Sequence, residues 1–334
     1  MKSTDFVGAN TRVRVYESSL LRNDQYERML QASNFEEAVN VLKDTPYRND
    51  VEELKETKNY DTLLMNELQS VYTDLFKISP NPKLIELFSL RYSYHNLKVL
   101  LKEKLTKKDL DALLIDIGSV PTSVLRQAVE TKSSSDLDND YLISIREAAD
   151  SYEEYKNSQA VDIILDRRYF THLRHLAESL ADTKILDLVT FYIDLNNLST
   201  LTRAIRQKRT RNFLTTILSS SGTIPKEQLV QIGADNLVNA GKKLAETKYK
   251  NIILASINDE TKELSPEKID LETDNAFINR IKDAKLEVFG PLPVIAYLYA
   301  KENEVKNLRL ILVGKENDLP VEAIRERMRM NYGS

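Results

Sequence analysis

Apolar residues recur along this chain at steps of three and four, with lysine, arginine and acidic residues on the opposite side, which is the period of an amphipathic α-helix. From Glu86 to Glu103 the stripe runs Leu87, Leu90, Tyr94, Leu97 and Leu101. From Leu186 to Arg206 it runs Val189, Ile193, Leu198, Leu201 and Ile205. Strict alternation, the mark of a half-buried strand, is brief and confined to the neighbourhood of Val13-Arg14-Val15. The pattern predicts an all-α protein.

Within it a longer period is visible. Asn-Leu occurs at Asn96-Leu97, Asn197-Leu198 and Asn307-Leu308. Each Asn stands nine residues after a leucine (Leu87, Leu188, Leu298) and four before Leu100, Leu201 or Ile311. A second landmark comes after each of them: Gly118-Ser119-Val120-Pro121, Gly222-Thr223-Ile224-Pro225 and Asn317-Asp318-Leu319-Pro320. Pro121, Pro225 and Pro320 read as helix starts, because proline presets φ and has no N–H to leave unpaired in a first turn. A third landmark, Val161-Asp162-x3-Asp166 and Ile269-Asp270-x3-Asp274, opens the second and third units. The first unit has a longer, more divergent opening. A period near one hundred residues predicts one structural unit built three times. The expected boundaries are residues 1–132, 133–242 and 243–334, arranged as a ring or funnel. Polar stretches at residues 132–140 and 258–267 read as linkers.

Composition narrows the function. The chain has 334 residues, 42% hydrophobic and 29% charged, and a formal net charge of -4. That balance gives no global attraction to nucleic acid. There is no cysteine, hence no thiolate chemistry, and eight glycines leave little room for phosphate-cradling loops. No apolar run approaches the ~20 residues a membrane-spanning helix needs. No nucleophile stands with a base at motif spacing, so no catalytic, cofactor-binding or metal-binding residue is assigned.

Four constellations carry alternatives. A mid-helix Asn is a mediocre helix former, so Asn96, Asn197 and Asn307 read either as buried amides fixing a packing register or as a ring facing an opening. The two Asp-x3-Asp pairs read as solvated or helix-start carboxylates, or as Mg²⁺ ligands on a diphosphate as in all-α isoprenoid synthases. His172, His175 and Glu178 share loose zinc spacing. The basic runs Arg203, Arg206, Lys208, Arg209, Arg211 and Arg325, Arg327, Arg329 read as solvated helix ends or contacts for an acidic partner. Arg12, Arg14, Arg91 and Arg309 are candidate partner contacts.

The segments NTRVRVYESSLL (Asn10 to Leu21), LRYSYHNLKVLLK (Leu90 to Lys102), DRRYF (Asp166 to Phe170), FYIDLNNLSTL (Phe191 to Leu201) and NLRLILVGKENDLPVEAIRERM (Asn307 to Met328) together resemble the C subunits of the bacterial and archaeal V-type (A/V-type) ATPases, equivalent to the eukaryotic d subunit. The resemblance runs from near Phe6 to near Met330. The family's frequent acid three residues before the Asn is present as Asp194 and Glu304, with Ser93 in its place in the first unit. The resemblance implies a funnel of three similar helical-bundle domains with pseudo-threefold symmetry. It implies a non-catalytic rotor subunit, one copy per complex, held peripherally on the cytoplasmic face of the membrane. Such a subunit joins the central shaft (subunits D and F) to the membrane rotor ring (built of K/c subunits) and passes torque between ATP hydrolysis and proton or sodium translocation. The competing expectations are an unrelated helical scaffold or adaptor and a Mg²⁺-dependent isoprenoid enzyme.

Overall fold

The computed structural model describes residues 2–332. Among them are seventeen α-helices with short 3₁₀ turns, and the β structure is an isolated antiparallel bridge between Ile257 and Leu264. The chain is all-α. Val13-Arg14-Val15, the alternating neighbourhood, lies inside a helix.

Eight helices position the residues that matter for function: α1 (Val7–Glu17), α2 (Tyr60–Ile78), α3 (Pro82–Thr106), α4 (Asn139–Tyr155), α5 (Ser158–Ser179), α6 (Thr183–Arg206), α7 (Pro266–Ile281) and α8 (Leu292–Glu316). Their starts reflect local chemistry. Asn157 accepts a hydrogen bond from the Gln159 N–H, and Asp182 accepts from the Lys184 and Ile185 N–H groups, satisfying donors with no intrahelical partner. Where many helices end on glycine, several segments here end on a left-handed lysine, including Lys58, Lys107, Lys132 and Lys156. That conformation strains a side-chain-bearing residue, but a cationic residue at a helix C-terminus is favoured by the helix dipole, which offsets part of the cost. This helps explain how a helical chain manages with so few glycines.

The chain divides into two compact units. One is Pro82–Thr273, and the other joins Lys2–Asn81 to the segment from Asp274 onward. In the first, α5 packs against α3, α4 and α6. In the second, α8 packs against α1 and α2. Its core places Met29, Leu30, Phe35, Val39, Tyr47 and Leu64 with Leu308, Ile311, Leu312 and Ile324. The α8 helix is buried nearly all the way round, polar Lys301, Glu302, Asn303, Glu304 and Asn307 included. It is a central core helix rather than an amphipathic surface helix. No helix of the described residues is long and apolar enough to cross a membrane.

Candidate functional site

The three Asn-Leu helices use their asparagines identically. Asn96 Nδ2 donates to the Ile115 carbonyl at 2.7 Å, and its Oδ1 accepts from the Ile115 N–H at 2.9 Å. Asn197 makes the same pair with Ser219, 2.9 Å each way. Asn307 makes it with Arg329, at 3.0 and 2.9 Å. Each side-chain amide acts as a peptide unit, closing both backbone groups of one residue in the segment that returns along the helix. All three are about 2% exposed. A buried backbone pair left open costs about 1–3 kcal/mol per group. Asn197→Ala is therefore expected to destabilise the chain by about 2 kcal/mol, read as a lower urea midpoint. An unchanged midpoint would mean that water replaces the clamp.

The residue three before the second and third Asn adds a buried carboxylate to these fastenings. The Asp194 carboxylate, fully buried, accepts the Thr223 N–H at 2.7 Å and the Ile224 N–H at 3.2 Å, as well as the hydroxyls of Thr223 and Tyr249. Gly222 is required beside it, because a Cβ there would stand 2.2 Å from Asp194 Oδ1. Glu304 accepts the Leu21 N–H at 2.6 Å, the Tyr47 hydroxyl at 2.8 Å and the Lys301 ammonium at 2.7 Å. Ser93 has no carboxylate to offer. In its unit Glu86, further up the same helix, accepts from the Ser119 hydroxyl at 2.8 Å, where Thr223 serves Asp194.

Pro121, Pro225 and Pro320 each stand at the N-cap of a helix, with φ of -57°, -55° and -56°. Their places differ. The clamped residues Ile115 and Ser219 precede Pro121 and Pro225, whereas Arg329 comes after Pro320. The Pro320 helix thus lies between the long helix and its clamp, where the second unit has Arg211–Ile217. The match of Pro320 to the other two is one of helix-start chemistry and not of position. Its Ile324 packs onto α8 where Gly314 leaves room.

The paired aspartates are all held by cations or hydroxyls of the long helices. Asp166 meets Lys98 at 2.5 Å and Asp162 meets Lys102 at 2.7 Å. Asp270 accepts from Ser199 at 2.5 Å and pairs with Arg203. Asp274 pairs with Lys306 and Arg329, each at 3.0 Å. Burial pushes the Asp274 carboxyl up, but these two cations more than reverse it and hold it below its ordinary value. Carboxylates so neutralised are ion-pair partners rather than open ligands for a metal diphosphate. A first-unit counterpart was missed in the sequence. Asp61, near the start of α2, forms a two-point pair with Arg309, Nε to Oδ1 at 2.9 Å and Nη2 to Oδ2 at 3.1 Å. The available signal was register, since Asp61 precedes Asn96 by as many residues as Asp162 precedes Asn197.

The remaining candidates disperse. His172 is buried against the Tyr94 hydroxyl, 3.2 Å from Nδ1, while exposed His175 meets Asp140 and Glu178 meets Arg174. They do not converge. One acidic cluster, Glu103, Asp109 and Asp111, is largely exposed, and Arg126 bridges Glu103 and Asp111. Of the basic runs, Arg203 and Arg206 pair with Asp270 and Glu267, Arg209 lies over the Phe213 ring, and Arg325 pairs with Glu27. Arg14 is engaged internally, donating to the Ala284 and Glu287 carbonyls at 2.9 and 2.8 Å and pairing with Glu17. Arg91 lies over the Tyr92 ring at 4.7 Å. Arg12 is exposed.

The arrangement is a set of mechanical fastenings: backbone clamps, buried carboxylates and ion-paired helix seams. The sequence model of the ATP synthase (C/AC39) subunit family matches residues 9–327. The chain is 34% identical over 325 residues to the V-type sodium ATPase C subunit of Enterococcus hirae, covering 97% of this chain and 98% of that one. It is 25% identical over 339 residues to the A-type ATP synthase C subunit of Methanocaldococcus jannaschii, covering 95% and 84%. With a match over nearly its whole length, the chain belongs to the ATP synthase (C/AC39) subunit family, the C subunits of V/A-type ATPases.

Proposed function

We propose that this chain is the rotor coupling of a V-type ATPase: a funnel of three similar helical units, at about residues 1–132, 133–242 and 243–334. It receives the end of the central shaft (subunits D and F) and sits on the cytoplasmic face of the membrane rotor ring, one copy per complex. The observation that carries this reading is the order of the seams. The long helix of the first unit holds the aspartates opening the second, through Lys98 and Lys102. That of the second holds Asp270, opening the third, through Ser199 and Arg203. That of the third returns to Asp61 of the first, through Arg309. First to second, second to third and third to first is the order required of three units about an axis.

A coupling of this kind transmits torque by not deforming. Close-packed cores resist strain, and a two-point backbone clamp in every unit removes a hinge where the chain turns back. The shaft is held by shape and charge over an interface above about 1,000 Å², with charge pairs that steer assembly and weaken in salt.

Co-purification with the shaft subunits and the ring, followed by crosslinking, tests the proposal. The expected result is retention of both partners, with shaft crosslinks clustered in the middle of the molecule and ring crosslinks at one end. Failure to retain either partner, or turnover of a prenyl diphosphate by the purified chain, ends it.

A further inference from the structure

A cavity of about 190 Å³ opens between α1, α2 and α8. It is smaller than the ~300–1,000 Å³ that holds a drug-sized ligand and has the size of one amino-acid side chain. Its walls have a definite chemistry. Tyr16 and Tyr297 present two rings with centroids 5.7 Å apart. Glu67 and Asp74 line the same face of α2, two turns apart, and Lys301 closes the inner end. Lys301 is 2% exposed and already bound, 2.8 Å from Glu67 and 2.7 Å from Glu304. Asp74 has a loose 3.9 Å contact with Lys77, whose side chain is 70% exposed. Two carboxylates, those of Glu67 and Glu304, therefore hold the buried cation, and Asp74 stands two turns away on the cavity wall.

The decisive observation is Tyr297. It is only 4% exposed, lines the cavity, and its hydroxyl makes no hydrogen bond within the protein. The hydroxyl opens to the cavity and pairs with whatever fills it, a guest or solvent. Burial first, then the charges of Glu304 and Glu67, hold that hydroxyl above its ordinary range, so the potential at the site is negative. A single divalent ion fits poorly, because two turns of helix separate the roots of Glu67 and Asp74 by about 10 Å and Lys301 already holds Glu67. An elongated organic cation fits well. Its stem lies along the tyrosine rings, and its charge is met by a ring face and a carboxylate together.

We propose that this cavity is a binding site for a cationic side chain, lysine or arginine, contributed by a partner polypeptide. The inference does not depend on the rotor reading. The guest enters past Ser70, and its charged end lies between Asp74 and the Tyr297 hydroxyl, which accepts one of its N–H groups.

The test is NMR titration of the full chain with ring-labelled tyrosine, the Tyr16 and Tyr297 signals being assigned through Tyr→Phe variants. The probes are N-acetyl-lysine methylamide, N-acetyl-arginine methylamide, the uncharged N-acetyl-norleucine methylamide and putrescine. The expected result is saturable shifts of both tyrosines with the lysine or arginine probe, at a Kd on the order of millimolar for one isolated side chain, and none with norleucine. Asp74→Asn is expected to weaken binding about fivefold and Ser70→Trp to abolish it, both with unaltered melting. Asp74 is half-exposed, so its variant folds even if the tryptophan does not. Equal shifts with norleucine, no saturation up to about 100 mM, or wild-type binding by Asp74→Asn overturns the proposal. Putrescine binding more tightly than both capped residues assigns the site to free diamines and overturns the side-chain reading.

Discussion

Lys301→Met is expected to destabilise the unit containing α1, α2 and α8 by about 3–5 kcal/mol, the cost of removing one partner from a buried ion pair. Lys301 and Glu304 are each about 2% exposed by side chain. Burial pushes the Lys301 ammonium down, and Glu304 and Glu67 more than reverse it, so it stays charged and above its ordinary value. Its charge also lies 4.8 Å over the Tyr47 ring. Methionine fills most of the volume but leaves the Glu304 carboxyl without its cation beside Leu21 and Tyr47. The double variant Lys301→Met with Glu304→Gln is expected to regain most of the loss, because the Gln amide oxygen can accept from the Leu21 N–H, its amide nitrogen can donate to the Tyr47 hydroxyl oxygen, and only the partly exposed Glu67 is left without its cation. Urea unfolding followed by tyrosine fluorescence measures both. A single-variant loss below about 1 kcal/mol, the range of solvated pairs, would mean that water reaches this network.

Acidification from neutrality to about pH 4 is expected to remove about 3 kcal/mol from the unit containing α3 to α6, through His172 alone. Burial pushes His172 down from 6.5 to about 4. Asp140 and Asp138 oppose that shift and His175 adds to it. The ring lies against Tyr141 at 4.7 Å, edge to face, and beside Tyr94. With the folded value depressed, the unfolded chain takes up the proton first. The contribution is complete above 6.5 and is lost as the pH falls through the interval down to about 4. His172→Gln, which keeps a partner for the Tyr94 hydroxyl, is expected to flatten that part of the stability profile. The measurement is the urea midpoint against pH for both proteins, and parallel slopes would contradict the assignment.

Much of the fold is legible in the sequence because it is local. Helix period and the helix starts at Pro121, Pro225 and Pro320 each depend on a few neighbouring residues, while the sequence left Asn96, Asn197 and Asn307 open between buried amides and a ring facing an opening, and the structure buries all three. The clamps are half legible. A buried amide needs partners, but nothing near Asn307 says that its partner is Arg329, beyond the Pro320 helix. The aspartate pairs are ambiguous for a similar reason. The same Asp-x3-Asp spacing suits a metal ligand or an ion pair, and only Lys98, Lys102, Arg203 and Lys306 standing opposite decide between them. Arg14 reads as a candidate partner contact in the sequence, yet the Ala284 and Glu287 carbonyls, some 270 residues away along the chain, hold it.

What the order of residues determined by itself is the helical class, the recurring Asn-Leu register and the absence of cysteine chemistry, since these rest on turn-to-turn spacing and composition. Only the tertiary structure decided that the first eighty residues share a core with the last sixty, that α8 is buried nearly all the way round, and that Glu67 and Glu304 meet at Lys301 beside the Tyr16 and Tyr297 cavity. Hydrophobic burial has no direction along the chain: it rewards any apolar face that finds another. Which faces meet, and hence which polar groups must pair in the dark, is settled by packing and not by proximity in sequence.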